Sequence, residues 1–100
     1  MKNYEIIVTQ SASREIEKIF EYIVIQLKFP KSALKIISEM EETIYSLETM
    51  PYRSSERKVG KFKNKGYFQI FVKNYTIIYR INEKDREVII VTVQYSHSNF

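Results

Sequence analysis

The sequence contains no cysteine and no tryptophan, and it has only one histidine, two glycines and two prolines in 100 residues. Without cysteine there is no disulfide and no thiol nucleophile, which fits a reducing compartment. Zinc sites in proteins need several cysteine or histidine ligands, so one histidine argues against zinc. The scarcity of glycine and proline indicates a domain of regular helices and strands rather than a disordered chain. We therefore predict no metal and no cofactor.

Long hydrophobic runs are also missing. No apolar stretch approaches the roughly 20 residues that span a bilayer. The first residues, MKNYEIIVTQ, lack the apolar core and small-residue cleavage site of a signal peptide. The sequence also has no Walker loop, no nucleophile elbow and no HExxH motif. We expect a cytoplasmic protein without membrane contact, and none of these common catalytic classes.

Positive charge is concentrated in one part of the chain. The net charge is +4, yet residues 11–49 carry more acidic than basic side chains. Residues 53–65 instead contain six basic side chains and a single acidic one, Glu56. Such a segment favours contact with nucleic acid or an acidic protein, although a solvated loop has the same composition. The candidates for binding a target or phosphate are Arg53, Arg57, Lys58, Lys61, Lys63 and Lys65.

Hydrophobic spacing predicts a strand and two helices in the first half of the chain. Residues 4–9, YEIIVT, are short and rich in β-branched side chains, which is typical of a strand. Apolar residues then recur at intervals of three and four over residues 11–28, as in an amphipathic helix. Phe29-Pro30 ends that helix, and the same spacing resumes over residues 31–48. The short connection predicts an antiparallel helical hairpin.

The second half predicts an antiparallel meander. Residues 66–73, 75–82 and 88–95 are three apolar strands, joined by a tight turn at Lys73-Asn74 and by the polar segment NEKDRE. Before them lies a loop over residues 51–66, in which residues 58–63 give a weak edge-strand signal. The first strand must join this sheet to find a ladder partner. The predicted fold class is α+β, with residues 1–100 as a single domain and both helices on one face of the sheet.

Strand alternation predicts an apolar face turned away from the helices. Because neighbouring side chains point to opposite faces, we place Ile77 and Tyr79 under the helices and Ile78 and Arg80 on the open face. Exposed apolar faces on monomers mark protein interfaces; the alternative is that the C-terminal segment of the chain covers this face. The predicted partner-binding residues of the open face are Phe68, Ile70, Val72 and Ile78.

The elements in this order resemble the RelE/ParE toxins of bacterial type II toxin–antitoxin systems. The resemblance rests on YEIIVTQSASREI at the start, on IEKIFEYI in the first helix and on YSLETMP after the second. It continues through GYFQIFVKNYTIIYRI and the closing strand VIIVTVQY, and so covers nearly the whole chain. The long helical hairpin is more similar to the ParE-like branch than to the RelE-like branch.

The resemblance implies a small protein that inhibits growth when it is free and that a cognate antitoxin neutralises. ParE-like members act on DNA gyrase, which is a binding activity. RelE-like members cut mRNA in the ribosome without a metal. A third alternative is a degenerate toxin that only binds its antitoxin. A toxin–antitoxin hetero-oligomer is compatible with all three.

The nuclease alternative makes demands on particular residues. Metal-free RNA cleavage needs groups that move protons and cations that stabilise the charged phosphorane. The resemblance implies that a RelE-like nuclease has basic residues at the positions of Phe68, Ile70 and Thr76, and another near His97. Three of these four positions lack charge, which favours gyrase binding over catalysis. If the protein is an enzyme, it is a metal-independent endoribonuclease with His97 as acid or base and Arg80 holding phosphate.

Overall fold

A five-stranded mixed sheet forms the centre of the structure, a computed structural model that describes residues 3–100. The strand order is β1-β5-β4-β3-β2; β1 runs parallel to β5, and the other neighbours are antiparallel. The predicted α+β class is therefore confirmed. The elements in chain order are β1 (Glu5–Val8), α1 (Gln10–Glu21), a π-helical segment (Tyr22–Gln26), α2 (Pro30–Ser46), β2 (Ser55–Glu56), a 3₁₀ turn (Gly60–Phe62), β3 (Phe68–Val72), β4 (Tyr75–Asn82) and β5 (Glu87–Tyr95).

The helical hairpin differs from the sequence prediction at its tip. Helix α1 begins after Thr9, whose side-chain oxygen accepts a hydrogen bond from the Ala12 amide at 3.2 Å and so caps the helix. The helix predicted over residues 11–28 widens after Glu21 into the π-helical segment. Lys28 then adopts a left-handed φ of 57°, and Pro30 opens α2 at a position that suits its fixed φ.

The core lies between the hairpin and one face of the sheet. Met40 of helix α2 and Leu47 directly after it are fully buried, and the sheet contributes Ile77 and Tyr79 from its central strand β4. Burial of these apolar surfaces is the main stabilising term of the fold, at roughly 25 cal/mol per Å². The remaining buried members of this cluster are Tyr4, Ala12, Ile44, Ile70, Val72, Val88, Ile90 and Val93.

The predicted position of β3 residues on the open face is wrong. Cross-strand pairing sets Ile70 opposite Ile77 and Phe68 opposite Tyr79, and directly paired residues share a face of the sheet. Ile70 and Val72 accordingly belong to the buried core, and Phe68 packs against it. Only Ile78 of the four predicted residues lies on the open face, and it is fully buried there.

Both edge strands of the sheet, β1 and β2, are short. The edge strand predicted over residues 58–63 lies earlier, at Ser55–Glu56, and pairs with β3. Residues 58–63 form no strand, because Gly60 takes a φ of 74° and opens a 3₁₀ turn. At the other edge β1 stops at Val8, opposite Ile90, so the rest of β5 has no β1 partner.

Candidate partner-binding surfaces

The basic loop, defined as residues 53–65, turns five of its six cations to solvent. Lys58, Lys61, Lys63 and Lys65 are all exposed. Phe62 of the loop packs edge-to-face against Tyr67, with ring centroids 5.0 Å apart. Lys58 approaches Glu56 at 3.8 Å, but an exposed pair of this kind is weak. The four lysines therefore present a cationic surface that an acidic or phosphate-bearing partner fits.

The two arginines of the basic loop have different surroundings from the lysines. Arg53 donates from Nη1 to the Ser46 hydroxyl at 2.6 Å, at the end of α2, where a cation complements the helix dipole. Arg57 is buried, with 7% of its surface exposed. Burial removes Arg57 from the set of cations that a large partner can reach directly, which the sequence pattern did not indicate.

Arg57 attaches the C-terminal segment, residues 96–100, to the open face of the sheet. Its Nη1 donates to the Gln69 side chain at 2.9 Å, and its Nη2 lies 3.5 Å from the backbone oxygen of Phe100. Its guanidinium carbon sits 4.5 Å from the centre of the Phe100 ring, a cation–π geometry. Because Gln69 pairs with Ile78, these contacts lie beside the buried apolar residue of the open face.

A second contact fixes the start of the same segment. The Thr76 and Ser96 hydroxyls are 2.8 Å apart, and the Ser96 amide donates to the Asn74 carbonyl at 2.7 Å. Thr76 is buried by this arrangement rather than presented to a substrate. The C-terminal segment therefore lies over part of the open face, whereas Phe71, opposite Thr76 on that face, stays exposed.

Arg80 and His97 are both exposed. Arg80 lies on the open face, one alternation from Ile78 along β4. His97 stacks edge-to-face on Tyr95 with ring centroids 5.2 Å apart. Within residues 3–100 neither side chain forms a hydrogen bond or ion pair, so no neighbouring group orients His97 for proton transfer or Arg80 for phosphate binding. Phe68 and Ile70, two positions at which the resemblance implies nuclease cations, face the helices and do not share the open face with Thr76.

A groove of about 750 Å³ opens between the hairpin and the sheet. Its walls are mainly apolar and include Ile19, Tyr22, Leu27 and Phe29 from the hairpin and Tyr75 from β4. Tyr75 is partly buried there, and this burial raises the pKa of its hydroxyl. The hydrophobic spacing did not predict this surface, although the side chains of Tyr22, Leu27 and Phe29 are exposed there.

The hairpin tip, defined as residues 22–38, carries cations without acids. It contains Lys28, Lys31 and Lys35 and no aspartate or glutamate. Exposed Ile25 and Leu34 lie in the same segment. Exposed apolar side chains with uncompensated positive charge suit an acidic, amphipathic protein segment.

Two kinds of site are absent from the part of the chain that the structure describes. No group of three or more His, Asp or Glu side chains there is arranged to hold a metal ion. No helix among residues 3–100 is both long and apolar enough to cross a membrane.

A protein-family model and several solved structures match this chain. The family model described as "ParE toxin of type II toxin-antitoxin system, parDE" matches residues 6–100. The chain therefore belongs to the ParE family of type II toxin–antitoxin toxins, which confirms the resemblance found in the sequence. No curated protein sequence matches the chain.

Solved structures share the fold at low sequence identity. A chain of the chromosomal ParDE system from P. aeruginosa is 16% identical, with a TM-score of 0.74 over 92% of this chain and 95% of that one. A chain of the RelBE2 toxin–antitoxin complex from Mycobacterium tuberculosis is 21% identical, with a TM-score of 0.66 over 93% and 98%. A chain of the archaeal RelE–RelB complex from Pyrococcus horikoshii is 18% identical, with a TM-score of 0.65 over 97% and 98%.

Proposed function

We propose that this toxin inhibits growth by binding DNA gyrase in the cytoplasm, and that a cognate antitoxin neutralises it. The observation that carries this proposal is the scarcity of cations on the open face of the sheet, where Arg80 is the one cation of β3 and β4. Gln69 and Phe71 of β3 share that face with Thr76 and Ile78 of β4, and the Thr76 hydroxyl contacts that of Ser96. Such a face lacks a set of groups for proton transfer and phosphorane stabilisation, which favours binding over catalysis.

The basic loop and the hairpin tip offer surfaces for two different partners. The loop lysines suit gyrase or its bound DNA, whose phosphates attract such cations. The groove and the hairpin tip combine apolar walls with Lys28, Lys31 and Lys35. That combination suits an antitoxin segment that folds on binding and buries a large surface. The solved relatives in toxin–antitoxin complexes support an antitoxin partner.

A supercoiling assay with purified toxin and gyrase tests the target. Inhibition is expected with the native chain and is expected to need about tenfold more protein when Lys58, Lys61 and Lys63 are all replaced by Glu. The matched control replaces Lys28, Lys31 and Lys35 by Glu. That variant is expected to keep gyrase inhibition and to lose antitoxin affinity. Unchanged supercoiling at large toxin excess would overturn the gyrase proposal.

The second candidate is ribosome-dependent mRNA cleavage, which the exposure of His97 and Arg80 favours. Pulse-labelling of DNA, RNA and protein synthesis just after induction separates the two targets. Early loss of DNA synthesis supports gyrase; early loss of protein synthesis supports the ribosome. In the second case, replacing His97 by Ala is expected to abolish toxicity while the fold is retained. No arrest of growth at all would indicate a degenerate toxin that only binds its antitoxin.

A further inference from the structure

The least expected side chain of the basic loop is Arg57, because a buried arginine is rare unless each of its donors has a partner. Here Nε donates to the Val59 carbonyl at 3.0 Å, Nη1 to Gln69 and Nη2 towards Phe100. One guanidinium thus joins three separate parts of the chain: the loop, strand β3 and the C-terminal segment. A planar fork of donors can do this, whereas the single ammonium group of lysine cannot.

Gly60 shows that the loop is shaped to receive the C-terminal segment. A Cβ atom at Gly60 would lie 1.8 Å from the backbone oxygen of Phe100 and 2.6 Å from its carbonyl carbon. Gly60 also has a φ of 74°, which side-chain-bearing residues rarely adopt. Phe100 is therefore held between the Arg57 guanidinium and the Gly60 backbone, in direct contact with the loop that carries Lys58 and Lys61.

The segment between the two attachments is exposed. Ser96 is fixed at one end by Thr76 and Phe100 at the other by Arg57. His97, Ser98 and Asn99 between them are turned to solvent. These three residues thus lead from the end of β5, where His97 contacts Tyr95, to Phe100 against the basic loop.

We propose that Arg57 is a positioning residue that fixes residues 96–100 against the basic loop, so that His97–Asn99 and the loop lysines form one composite surface that contacts the toxin's target. The part of this inference that concerns target contact rests on the proposed function; the part that concerns positioning does not. Arg57 contributes by ordering the segment, and its own charge does not reach the target.

Two substitutions separate geometry from charge. Arg57→Lys keeps the positive charge but loses the fork, whereas Lys63→Gln removes a charge from the same loop without touching the segment. Backbone ¹⁵N relaxation at residues 97–99 and exchange of the Ser98 amide, which donates to the Tyr95 carbonyl at 2.9 Å, report the order of the segment. Arg57→Lys is expected to speed Ser98 exchange by about tenfold. Lys63→Gln is expected to leave it unchanged.

Phe100→Ala provides a variant that keeps the core, because Phe100 lies outside every helix and strand. Its effect on Ser98 exchange is expected to match that of Arg57→Lys. In the Arg57→Lys, Phe100→Ala double variant, the Ser98 amide is expected to exchange no faster than in either single variant. Such non-additivity identifies one shared contact. Additive effects, or unchanged exchange in both single variants, would overturn the positioning role.

The supercoiling assay then tests the composite surface. Arg57→Lys and Phe100→Ala are expected to weaken gyrase inhibition although their thermal unfolding stays cooperative. Full inhibition in a variant whose segment is loosened would overturn the composite surface. If the native chain does not inhibit gyrase, the proposed function fails, and the exchange measurements still decide whether Arg57 positions the segment.

Discussion

The two faces of the sheet are covered in different ways. On the helix side, Ile77 and Tyr79 lie beneath Met40 and Leu47 in a continuous apolar core. On the opposite side, residues 96–100 form a partial cover that leaves Phe71 exposed. The contacts that hold this cover are a pair of hydroxyls, a backbone hydrogen bond and the Arg57 fork. One cover is a pair of helices joined by aliphatic packing. The other is a short segment attached at two points.

We expect the two covers to differ in the free energy needed to open them. Apolar burial is non-directional and grows with area, so the helical cover cannot lift without unfolding the domain. Polar attachments at two points can open locally, at a much lower free energy than global unfolding. We therefore expect substitutions on the helix side to change global stability, and substitutions around the C-terminal segment to change local order and binding.

The largest expected effect is on the helix side. Ile77→Ala removes a fully buried side chain from the central strand and is expected to lower the free energy of unfolding by about 3 kcal/mol. Urea denaturation measures this loss. Phe100→Ala, made in parallel, is expected to cost less than about 1 kcal/mol. If the two substitutions destabilise the protein equally, the distinction between the two covers is wrong.

An intermediate effect is expected where a polar contact joins a helix to the sheet. Glu15 of α1 accepts from the Thr92 hydroxyl at 2.7 Å, the Val93 amide at 3.1 Å and the Gln94 side chain at 2.8 Å. It thereby satisfies the part of β5 that β1 does not reach. Glu15→Gln replaces one acceptor oxygen by a donor and is expected to cost about 1–2 kcal/mol.

Exposed Glu17 on the same helix provides the control for that prediction. Glu17→Gln removes the same charge and is expected to change the urea midpoint very little. Equal effects of the two substitutions would mean that helix charge, and not the contact with β5, accounts for the loss.

The sequence predicted the elements better than their relative placement. The limits of β4, residues 75–82, agree with the structure because alternation and turn residues bound that strand on both sides. The face of β3 was wrong, yet the information was present. A two-residue turn at Lys73-Asn74 sets Val72 directly opposite Tyr75. The even-numbered residues of β3 must therefore share a face with the odd-numbered residues of β4.

The composition of the site could be read from the sequence only in part. The lysines of the basic loop are exposed, as their charge predicts. Among the described residues only Lys58 of this set has an acidic partner, Glu56. The burial of Arg57 depends on Gln69 and Phe100, which lie 12 and 43 residues away along the chain. Local pattern carries no information about contacts at that separation, which are fixed by the fold as a whole.

The smallest expected effect is at a polar cluster centred on the exposed side chain of Glu83. Glu83 in the β4–β5 turn accepts from the hydroxyls of Tyr52 and Tyr4 and pairs with Arg86 at 3.4 Å. Hydrogen bonds from Tyr52 and then Tyr4 lower the pKa of the Glu83 carboxyl. The same contact with Glu83 raises the pKa of Tyr52 to about 12. The cluster thus links the first strand, the loop after α2 and the β4–β5 turn.

The lowered pKa of Glu83 predicts a pH dependence of stability. Because the folded state favours the carboxylate, its contribution is present above the ordinary glutamate value of 4.5 and is lost as pH falls below that value towards the folded pKa. The difference in urea midpoint between the native chain and Glu83→Gln is expected to be present near neutral pH and to fade below 4.5. A difference in urea midpoint that stays constant with pH would show that Glu83 acts through shape alone. A loss of stability larger than that of Glu15→Gln would show that exposure of Glu83 does not weaken its contacts.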